Sequence, residues 1–372
     1  MPASSPALDV LVVGAGPAGI GTALALNVVG GLTYGVLERA VVGQTFLDWP
    51  EAQTFLTPSF TGNGFGATDL NAVHPRTSPA FSLAVDYPTG PQYARYLRGV
   101  VAAFELPILT GADVHSVTLD DDGFTLDTTH GPVRSRTVVW AGGEFRDRRV
   151  PRFAGSALSV HSSAAEAWDD HDGDVVVIGG YESGIDIACH HVERGRKVTV
   201  IDGEMPWQSG ASSDASTRLA PRTRMRLTTA RASGQLRLVD SHAASIKRDG
   251  NNYRVRLNSG ETLTAGRAPI AATGFGSGLG PVDALFDRRA DGWPKLDNDD
   301  QSTITPGLFL SGPAVRHGSM KFCFIYKFRQ RFAHIAGVIA ARLGHDASGL
   351  DEWRTAGMLT DDLSCCGVEC AC

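Results

Sequence analysis

Two short apolar runs, far apart in the chain, are followed by nearly the same pattern of residues. Residues 10–13 read Val-Leu-Val-Val, and residues 175–178 read Val-Val-Val-Ile. Runs of this length are too short for a helix and are typical of strands buried in a parallel sheet. Each run leads into a glycine-rich turn and then into a segment rich in small and apolar residues. The pattern predicts two β-turn-α units.

The first turn, at residues 14–19, has the spacing G-x-G-x-x-G. In such a turn Gly14 permits the tight bend, Gly16 lets a pyrophosphate approach the backbone, and Gly19 lets helix and strand pack closely. The next predicted strand ends in Glu38, about 20 residues further on, where a carboxylate holds the ribose hydroxyls of a dinucleotide. The strand, the turn, the helix and the acid together predict a dinucleotide site.

The second turn, at residues 179–184, departs from this spacing. Tyr181 stands where the middle glycine is expected, and a Cβ there obstructs the approach of a pyrophosphate. Asp202 ends the following strand and would repel a 2′-phosphate, so the sequence favours NADH over NADPH. The opposite preference stays open because three arginines of the next segment could hold that phosphate: Arg218, Arg222 and Arg224.

Three short strands follow each unit, and the last strand of each set leads into Ala-Gly-Gly at 141–143 or Ala-Thr-Gly at 272–274. We therefore predict an α/β fold with two Rossmann-like doubly wound domains, each with a small β-meander, the second inserted in the first. The expected boundaries are 1–150 and 272–345 for the first domain, 151–271 for the second, and 346–372 for a tail. Helices are expected from Gly19 to about Val29, at 92–104, 185–193 and 320–343, and near 350–358.

Composition narrows the function classes. The chain of 372 residues is 42% hydrophobic and 20% charged, and its formal net charge of −6 argues against a general nucleic-acid binder. No apolar stretch approaches the roughly 20 residues that span a bilayer, and the N-terminus lacks the features of a signal peptide. We expect a cytoplasmic protein without nucleic-acid or membrane partners.

The paired units, the loop at 43–50, the two glycine-ending crossovers and the segment 307–312 together resemble a known superfamily. It comprises flavoproteins with two dinucleotide-binding domains, such as thioredoxin reductases, bacillithiol-disulfide-reductase-like proteins and flavin-containing monooxygenases. The resemblance covers about residues 9–343. It implies FAD in the first domain, NADH or NADPH in the second, and a homodimer.

The resemblance also implies roles for individual residues. The helix expected to begin near Met320 would aim its amides at the flavin and stabilise its reduced, anionic form. The residues implied to bind FAD are Gly14, Gly16, Pro17, Ala18, Gly19, Glu38, Arg39, Gln44, Thr45, Trp49, Gly143, Gly312, Met320 and Lys321. Those implied to form a site for NAD(P) are Gly179, Gly180, Tyr181, Ser183, Gly184 and Asp202.

Two departures from the superfamily affect the expected chemistry. The Cys-x-x-Cys of the disulfide reductases is absent from both domains, so we expect no dithiol relay of that kind. Pro313 also follows Gly312 where many reductases have an aspartate, so one expected hydrogen bond to the ribityl chain is missing.

Catalytic groups are harder to assign because the flavin itself carries the redox step. Cys323, expected one turn inside the helix from Met320, is either a thiol activated by the helix N-terminus or a small buried residue, and we favour the latter. His317, Lys321 and Tyr326 are either an acid, a base or a charge partner to the flavin, or ordinary polar residues of the loop and helix. On the second domain's helix, we expect His190 and His191 at the surface and Cys189 in the core.

Four cysteines crowd into the last eight residues, at Cys365, Cys366, Cys370 and Cys372. Such a density suits a soft metal, a persulfide or a mobile dithiol that reaches the flavin. The alternative is a reduced tail without a chemical role. Spacing alone does not decide between them.

The leading hypothesis is an FAD-dependent oxidoreductase. Electrons would come from NAD(P)H or directly from a substrate, and would go to oxygen or to a small-molecule or thiol substrate, free or carrier-bound. One alternative is a flavin-dependent dithiol oxidase or a tailoring flavoprotein of antibiotic biosynthesis, with a vestigial nicotinamide site. Another is a protein that handles metal or sulfur through its cysteine-rich tail.

Overall fold

The computed structural model describes residues 7–210 and 214–363. These residues form two compact units. The first unit contains the chain up to Asp48, then Thr57–Arg146, then the described residues from Ser277 onward. The second contains Trp49–Leu56 and Asp147–Gly276. Apart from Trp49–Leu56, the chain leaves the first unit after Arg146, forms the second, and returns at Ser277, as expected for an inserted domain.

Strands and helices alternate along the described residues. The strands are β1 (Leu8–Val13), β2 (Tyr34–Glu38), β3 (Ile108–Thr110), β4 (Val114–Asp120), β5 (Gly123–Thr128), β6 (Gly131–Trp140), β7 (Val160–His161), β8 (Val175–Ile178), β9 (Val198–Ile201), β10 (Leu236–Val239), β11 (Ala243–Asp249), β12 (Asn252–Leu257), β13 (Thr262–Ala265), β14 (Ile270–Ala271), β15 (Leu308–Leu310), β16 (Arg316–His317) and β17 (Met320–Lys321). The helices are α1 (Pro17–Leu26), α2 (Gln44–Leu47), α3 (Pro79–Leu83), α4 (Gly90–Ala103), α5 (Glu182–Glu193), α6 (Pro221–Ala232), α7 (Ile325–Phe328), α8 (Phe332–Leu343) and α9 (Asp351–Thr355).

A parallel sheet, β3-β2-β1-β6 with β15 on the other side of β6, forms the centre of the first unit. The first half of β6 also pairs antiparallel with β5, which pairs with β4, and so makes the meander. The register sets Val13 and Leu310 beside Trp140. The ends of β1, β6 and β15 therefore meet at one edge of the sheet, the carboxyl edge.

Helix α1 packs against α8 at very short range. A Cβ on Gly21 would overlap the ring of Phe332, which is fully buried. Gly16 is the N-cap residue of α1, and Pro17 occupies its first turn, where the missing N–H costs nothing. The contact with α8 fixes the helix whose N-terminus faces the carboxyl edge.

The second unit repeats this plan with a parallel sheet, β10-β9-β8-β14-β7, and an antiparallel meander, β11-β12-β13. The α/β architecture predicted from the sequence is confirmed. In the described ranges, no helix has both the length and the apolar composition that crossing a bilayer requires.

The expected surface position of His190 and His191 is wrong. His190 is 5% exposed and His191 is fully buried, and each Nε2 lies 2.8 Å from a backbone carbonyl, of Trp168 and Ala167 respectively. Each ring therefore has a hydrogen-bond partner inside the unit, which makes burial tolerable. Burial lowers the pKa of both imidazoles, that of His191 to about 4. Cys189 is buried, as predicted.

The prediction that a helix begins near Met320 is also wrong. Residues 320–321 form β17, which pairs antiparallel with β16, and Gly318 supplies the left-handed turn between them with φ of 55°. The helix begins only at Ile325. Cys323 thus precedes the helix instead of lying one turn inside it. Met320 and Lys321 are held in the hairpin that Gly318 closes, so the helix cannot begin there.

Candidate active site

The first glycine turn lies at the carboxyl edge. Gly14 has φ of +108°, and its N–H donates to the carbonyl of Leu37 at 2.7 Å. A Cβ at Gly19 would overlap the carbonyl oxygen of Gly14, so only glycine allows the helix to approach the strand here. A Cβ at Gly16, in contrast, would have nothing within 4 Å among the described residues. There is thus open space above the residue that a pyrophosphate must approach.

Glu38 is fixed by the turn itself. The side chain is 8% exposed, and its Oε2 accepts a hydrogen bond from the Ala15 amide at 2.7 Å. Its Oε1 accepts another from the Ala40 amide at 2.9 Å. A carboxylate has about four acceptor positions, so it can still receive ribose hydroxyls after these two bonds. The donor and acceptor set fits an adenine dinucleotide.

Two further predicted glycines lie at the same edge. Gly312 has φ of +117°, and a Cβ there would be 3.1 Å from the Cβ of Ala18 in the first turn of α1. The Ser311 amide donates to the Trp140 carbonyl at 2.9 Å, which anchors the segment to β6. Gly143 has φ of +70°. Gly14, Gly143 and Gly312 thus each follow a strand that ends at this edge, although they are far apart in sequence.

The loop after Glu38 gives a mixed result for the other expected flavin neighbours. Gln44 donates from Nε2 to Asp48 Oδ1 at 2.7 Å, one turn along α2. Trp49 clusters with the second unit, where its ring lies 5.3 Å from that of Phe55. Two predicted residues of the first unit are half-buried: Arg39 and Thr45.

The second glycine turn has the same backbone frame as the first. The Gly179 amide donates to the Ile201 carbonyl at 2.9 Å, and a Cβ on Gly184 would overlap the Gly179 carbonyl oxygen. Asp202 takes the place that Glu38 has in the first unit, because its Oδ2 accepts from the Gly180 amide at 2.6 Å. The predicted nicotinamide turn is thus built as a dinucleotide turn.

Aromatic side chains occupy the space beside this second turn. Tyr181 stands in the position of Gly16, and its phenol donates to the Arg218 carbonyl at 3.0 Å. The ring of Trp207 lies so close to Gly180 that a Cβ there would overlap it. The second turn therefore has a side chain at the position of Gly16 and an aromatic ring against the preceding glycine.

An acidic residue that the sequence reasoning missed begins the adjoining helix α5. The carboxyl group of Glu182 accepts hydrogen bonds from the Ala220 amide and, at 2.6 Å, from the Thr223 hydroxyl. Burial raises its pKa, and these two hydrogen bonds partly oppose that rise. Ser183, the next residue, is exposed. No local motif would have shown that Glu182 reaches the start of α6.

A buried ion network joins residues that precede and follow β15. Asp300 is fully buried, and its Oδ1 lies 2.5 Å from His317 Nε2 while its Oδ2 accepts from Arg331 Nε at 2.7 Å. The other guanidinium nitrogens of Arg331 donate to the carbonyls of Asn298 at 2.6 Å and Thr360 at 2.7 Å. Sequence reasoning named His317 but missed Asp300, which lies in an Asn-Asp-Asp turn without a recognisable signature.

The remaining candidates lie in and just after the hairpin, or at the end of the chain. Met320 is half-buried, Lys321 is exposed, and Cys323 is half-buried. The four cysteines proposed as metal ligands, Cys365, Cys366, Cys370 and Cys372, lie outside the described residues. Within the described residues, no group of three or more His, Cys, Asp or Glu side chains could hold a metal ion.

Residues 11–312 match the family described as pyridine nucleotide-disulphide oxidoreductase. The chain belongs to this family. It is therefore an oxidoreductase of the FAD- and pyridine-nucleotide-dependent flavoprotein superfamily, which confirms the superfamily expected from the sequence. The match ends at the same Gly312 that the fold brings against α1.

Individual relatives differ in their named activities. A ferredoxin–NADP reductase of Paraburkholderia phytofirmans is 24% identical over 334 residues, which are 87% of this chain and 85% of that protein. An uncharacterized CzcO-like oxidoreductase of Geobacillus kaustophilus is 29% identical over 189 residues, 49% of this chain and 50% of that protein. This chain thus spans about half the length of the latter relative.

Two solved structures illustrate the shared fold. The bacillithiol disulfide reductase Bdr (YpdA) of Staphylococcus aureus has a TM-score of 0.74 and 19% identity, over 91% of this chain and 99% of that one. A flavin-containing monooxygenase of Stenotrophomonas maltophilia has a TM-score of 0.69 and 20% identity, over 91% and 100%. A reductase and a monooxygenase both share the fold, so the fold does not select the reaction.

Proposed function

We propose that this protein is an FAD-dependent oxidoreductase that oxidises NAD(P)H or a small-molecule or thiol substrate. Bound FAD would supply the redox chemistry, accepting electrons from the one partner and giving them to oxygen or to the other. The protein's own residues would bind and orient the cofactor. The expected holders of FAD are Gly14, Gly16, Gly19 and Glu38 at the diphosphate and ribose, and Gly143 and Gly312 at the carboxyl edge.

The observation that carries the proposal is the contrast within the first glycine turn. Gly19 is packed against Gly14 with no room for a Cβ, whereas Gly16 faces open space. Beside it, Glu38 is buried and fixed by two backbone amides, an arrangement that stabilises a carboxylate and aims its free lone pairs. A glycine turn with only a structural role would not need either feature.

The test is an anaerobic visible spectrum of the purified protein, first alone and then with NADH or NADPH. We expect a yellow protein with about one flavin per chain, and bleaching of the flavin band by a coenzyme places it among nicotinamide-dependent enzymes. A well-folded preparation that never retains FAD, even after reconstitution with excess cofactor, contradicts the proposal. NADH should bleach the band faster than NADPH, because the Asp202 carboxylate repels a 2′-phosphate.

A second candidate is a thiol oxidase that takes electrons directly from its substrate. The observation that favours it is the pair of rings, Tyr181 and Trp207, beside the second glycine turn. The same spectrum separates the two candidates. A yellow protein that dithiothreitol bleaches faster than either coenzyme supports the thiol oxidase, and faster bleaching by a coenzyme contradicts it.

The cysteine-rich tail is tested separately by a chain that ends at Leu363. If the tail takes part in turnover or binds a soft metal, the shortened protein retains FAD but loses turnover or metal content. The matched control keeps the full length and replaces Cys365, Cys366, Cys370 and Cys372 with serine. Unchanged turnover and metal content in both proteins exclude a chemical role for these thiols.

A further inference from the structure

The buried network of Asp300, His317 and Arg331 lies at the carboxyl edge and has no part in holding the diphosphate or ribose of FAD. We propose that His317 is a proton-transfer residue of the flavin site and that Asp300 is its positioning residue. The proposal rests on the proposed function, because it assigns these residues to the site where FAD is expected. It adds the group that would move protons there.

Position is the first argument. The Leu310 amide donates to the Asp300 carbonyl at 2.8 Å, so Asp300 is attached to the last residue of β15. Two residues further along the chain, Gly312 meets the first turn of α1. His317 then pairs with Met320 across the short hairpin. Ligands of open α/β sheets bind beyond the carboxyl ends of the strands, which is where this pair stands.

The charge balance is the second argument. Asp300 is fully buried and Arg331 is 1% exposed, and a buried carboxylate stays ionised when a hydrogen-bonded cation pairs with it. An ionised carboxylate can only accept hydrogen bonds, so Nε2 of His317 must carry the hydrogen. In the neutral imidazole, Nδ1 then has the free lone pair. Asp300 thereby selects one tautomer.

The surroundings of His317 are few and well defined. Its side chain is 11% exposed, so solvent reaches it. The charged groups beside it are Asp300 and, on the far side of that carboxylate, Arg331. Arg316 and Lys321 pair with each other in the hairpin, next to the pair of His317 and Met320. The ring of Phe322 lies 5.9 Å away and shields one side.

The proposed step is a proton transfer without any electron passing through the imidazole. Nδ1 of His317 would accept a proton from a group bound at the site, and Asp300 would stabilise the imidazolium so formed. The proton then leaves to solvent, which restores the starting tautomer. In the reverse direction the same nitrogen donates. General acid–base catalysis of this kind contributes about 10²- to 10⁴-fold to a rate.

A purely structural role is the alternative. Arg331 joins Asp300 to the carbonyls of Asn298 and Thr360, and that network could hold the segment without His317. The two roles differ in one respect. A structural network needs the Asp300–Arg331 pair but is indifferent to the imidazole tautomer, whereas proton transfer requires Nδ1 to be free.

The experiment compares Asp300→Asn and His317→Gln with wild type, all loaded with FAD. An asparagine can keep its oxygen on Arg331 and turn its amide toward His317, which forces the hydrogen onto Nδ1. We expect ¹⁵N NMR to show an Nε2–H tautomer in wild type and an Nδ1–H tautomer in Asp300→Asn. Both variants should slow reduction by a nicotinamide coenzyme or dithiothreitol, or reoxidation by oxygen, by about a hundredfold, with a flattened pH profile.

The chain offers a matched control in the neighbouring pair Asp299 and His334. Asp299 is the residue before Asp300, and His334 lies on α8. Asp299 Oδ1 is 3.0 Å from His334 Nε2. Asp299→Asn should leave the half-reactions, the pH profile and the His317 tautomer unchanged. If Asp299→Asn slows the reactions as much as Asp300→Asn, a structural effect explains both and the proposal is wrong.

The other possible results also decide for or against the proposal. Unchanged rates and pH profiles in Asp300→Asn and His317→Gln overturn the proposal, as does an Nδ1–H tautomer in wild type. If Asp300→Asn does not fold, His317→Gln alone carries the kinetic test. If wild type retains no FAD, the proposed function fails, and the tautomer measured in the flavin-free protein still decides whether Asp300 orients His317.

Discussion

The two glycine turns share a backbone and differ in what surrounds it. In both, a strand residue's carbonyl receives the first glycine's amide, and the last glycine packs against the first. In both, an acid at the end of the next strand accepts a backbone amide of the turn. At the first turn Gly16 faces open space, whereas at the second Tyr181 stands at that position and the ring of Trp207 lies against the neighbouring Gly180. The backbone hydrogen bonds and glycine contacts therefore specify the conformation of a dinucleotide turn. The side chains beside the turn determine whether a pyrophosphate can approach it.

The helices behind the turns differ as well. By position after the turn, Leu26 of α1 corresponds to His191 of α5, and both are fully buried. An apolar residue at that place makes the first unit insensitive to pH there. An imidazole makes the second unit sensitive, because it must stay neutral to remain buried. Four experiments test these contrasts, in order of decreasing expected effect.

The largest effect is expected from Gly19→Ala. The added methyl overlaps the Gly14 carbonyl, so FAD is lost and the free energy of unfolding falls by about 3 kcal/mol. Gly184→Ala creates the same overlap in the second unit and should leave FAD in place. Flavin absorbance per chain and thermal unfolding measure both. Gly99→Ala on α4, where a Cβ meets nothing within 4 Å among the described residues, serves as the neutral control. Retention of FAD by Gly19→Ala would show that the turn does not hold the cofactor.

The next largest effect, on the pH dependence of stability, is expected from His191→Leu. This variant gives α5 the residue that α1 has at the matching position, Leu26. The pKa of His191 is lowered from 6.5 to about 4 in the folded protein, so the unfolded chain takes up the proton first. The stability that this neutral imidazole contributes is present above pH 6.5 and is lost as the pH falls toward 4, by about 3 kcal/mol in all. The variant should lack this loss. Urea unfolding at pH 7 and pH 4 compares the two proteins, and an equal loss in both contradicts the prediction.

Glu38→Gln should weaken FAD binding about 10- to 100-fold, because hydrogen bonds to a charged acceptor are worth about 1.5–3 kcal/mol. Asp202→Asn makes the same change in the second unit. It should leave FAD affinity unchanged and shift the coenzyme preference toward NADPH by removing the negative charge. Fluorescence titration of the flavin-free protein gives the first value and steady-state kinetics the second. If both variants lost FAD affinity equally, the prediction that Glu38 holds FAD and Asp202 does not would be wrong.

The smallest effect is expected from Tyr181→Gly, which restores the middle glycine of the second turn. ADP-ribose, the part of the coenzyme that the turn would hold, should bind about three- to tenfold more tightly. Tyr181→Phe keeps the ring and removes the hydroxyl that donates to the Arg218 carbonyl, and it should bind as wild type does. Calorimetric titration distinguishes them. If Tyr181→Gly binds no better than wild type, the tyrosine is not what restricts the second turn.

Local sequence patterns predicted much of the backbone architecture. Both β-turn-α units, both acids and the insertion follow from short apolar runs, glycine spacing and the end of each strand. These features depend on residues close together in sequence, so an inspection of the chain finds them. The prediction of a helix from Met320 failed because an apolar pattern does not show where a chain reverses. The prediction that His190 and His191 are exposed failed because their carbonyl partners, on Trp168 and Ala167, lie more than 20 residues away.

By itself, the sequence determined the fold class, the two dinucleotide turns and the cysteine-rich tail. The tertiary structure decided which side chains stand beside each turn. Trp207 reaches Gly180, Glu182 reaches the start of α6, and Asp300 reaches His317, each across a chain separation that no local pattern spans. The physical reason is that backbone conformation is set by neighbouring residues, whereas the chemistry of a site is set by contacts that only folding brings together.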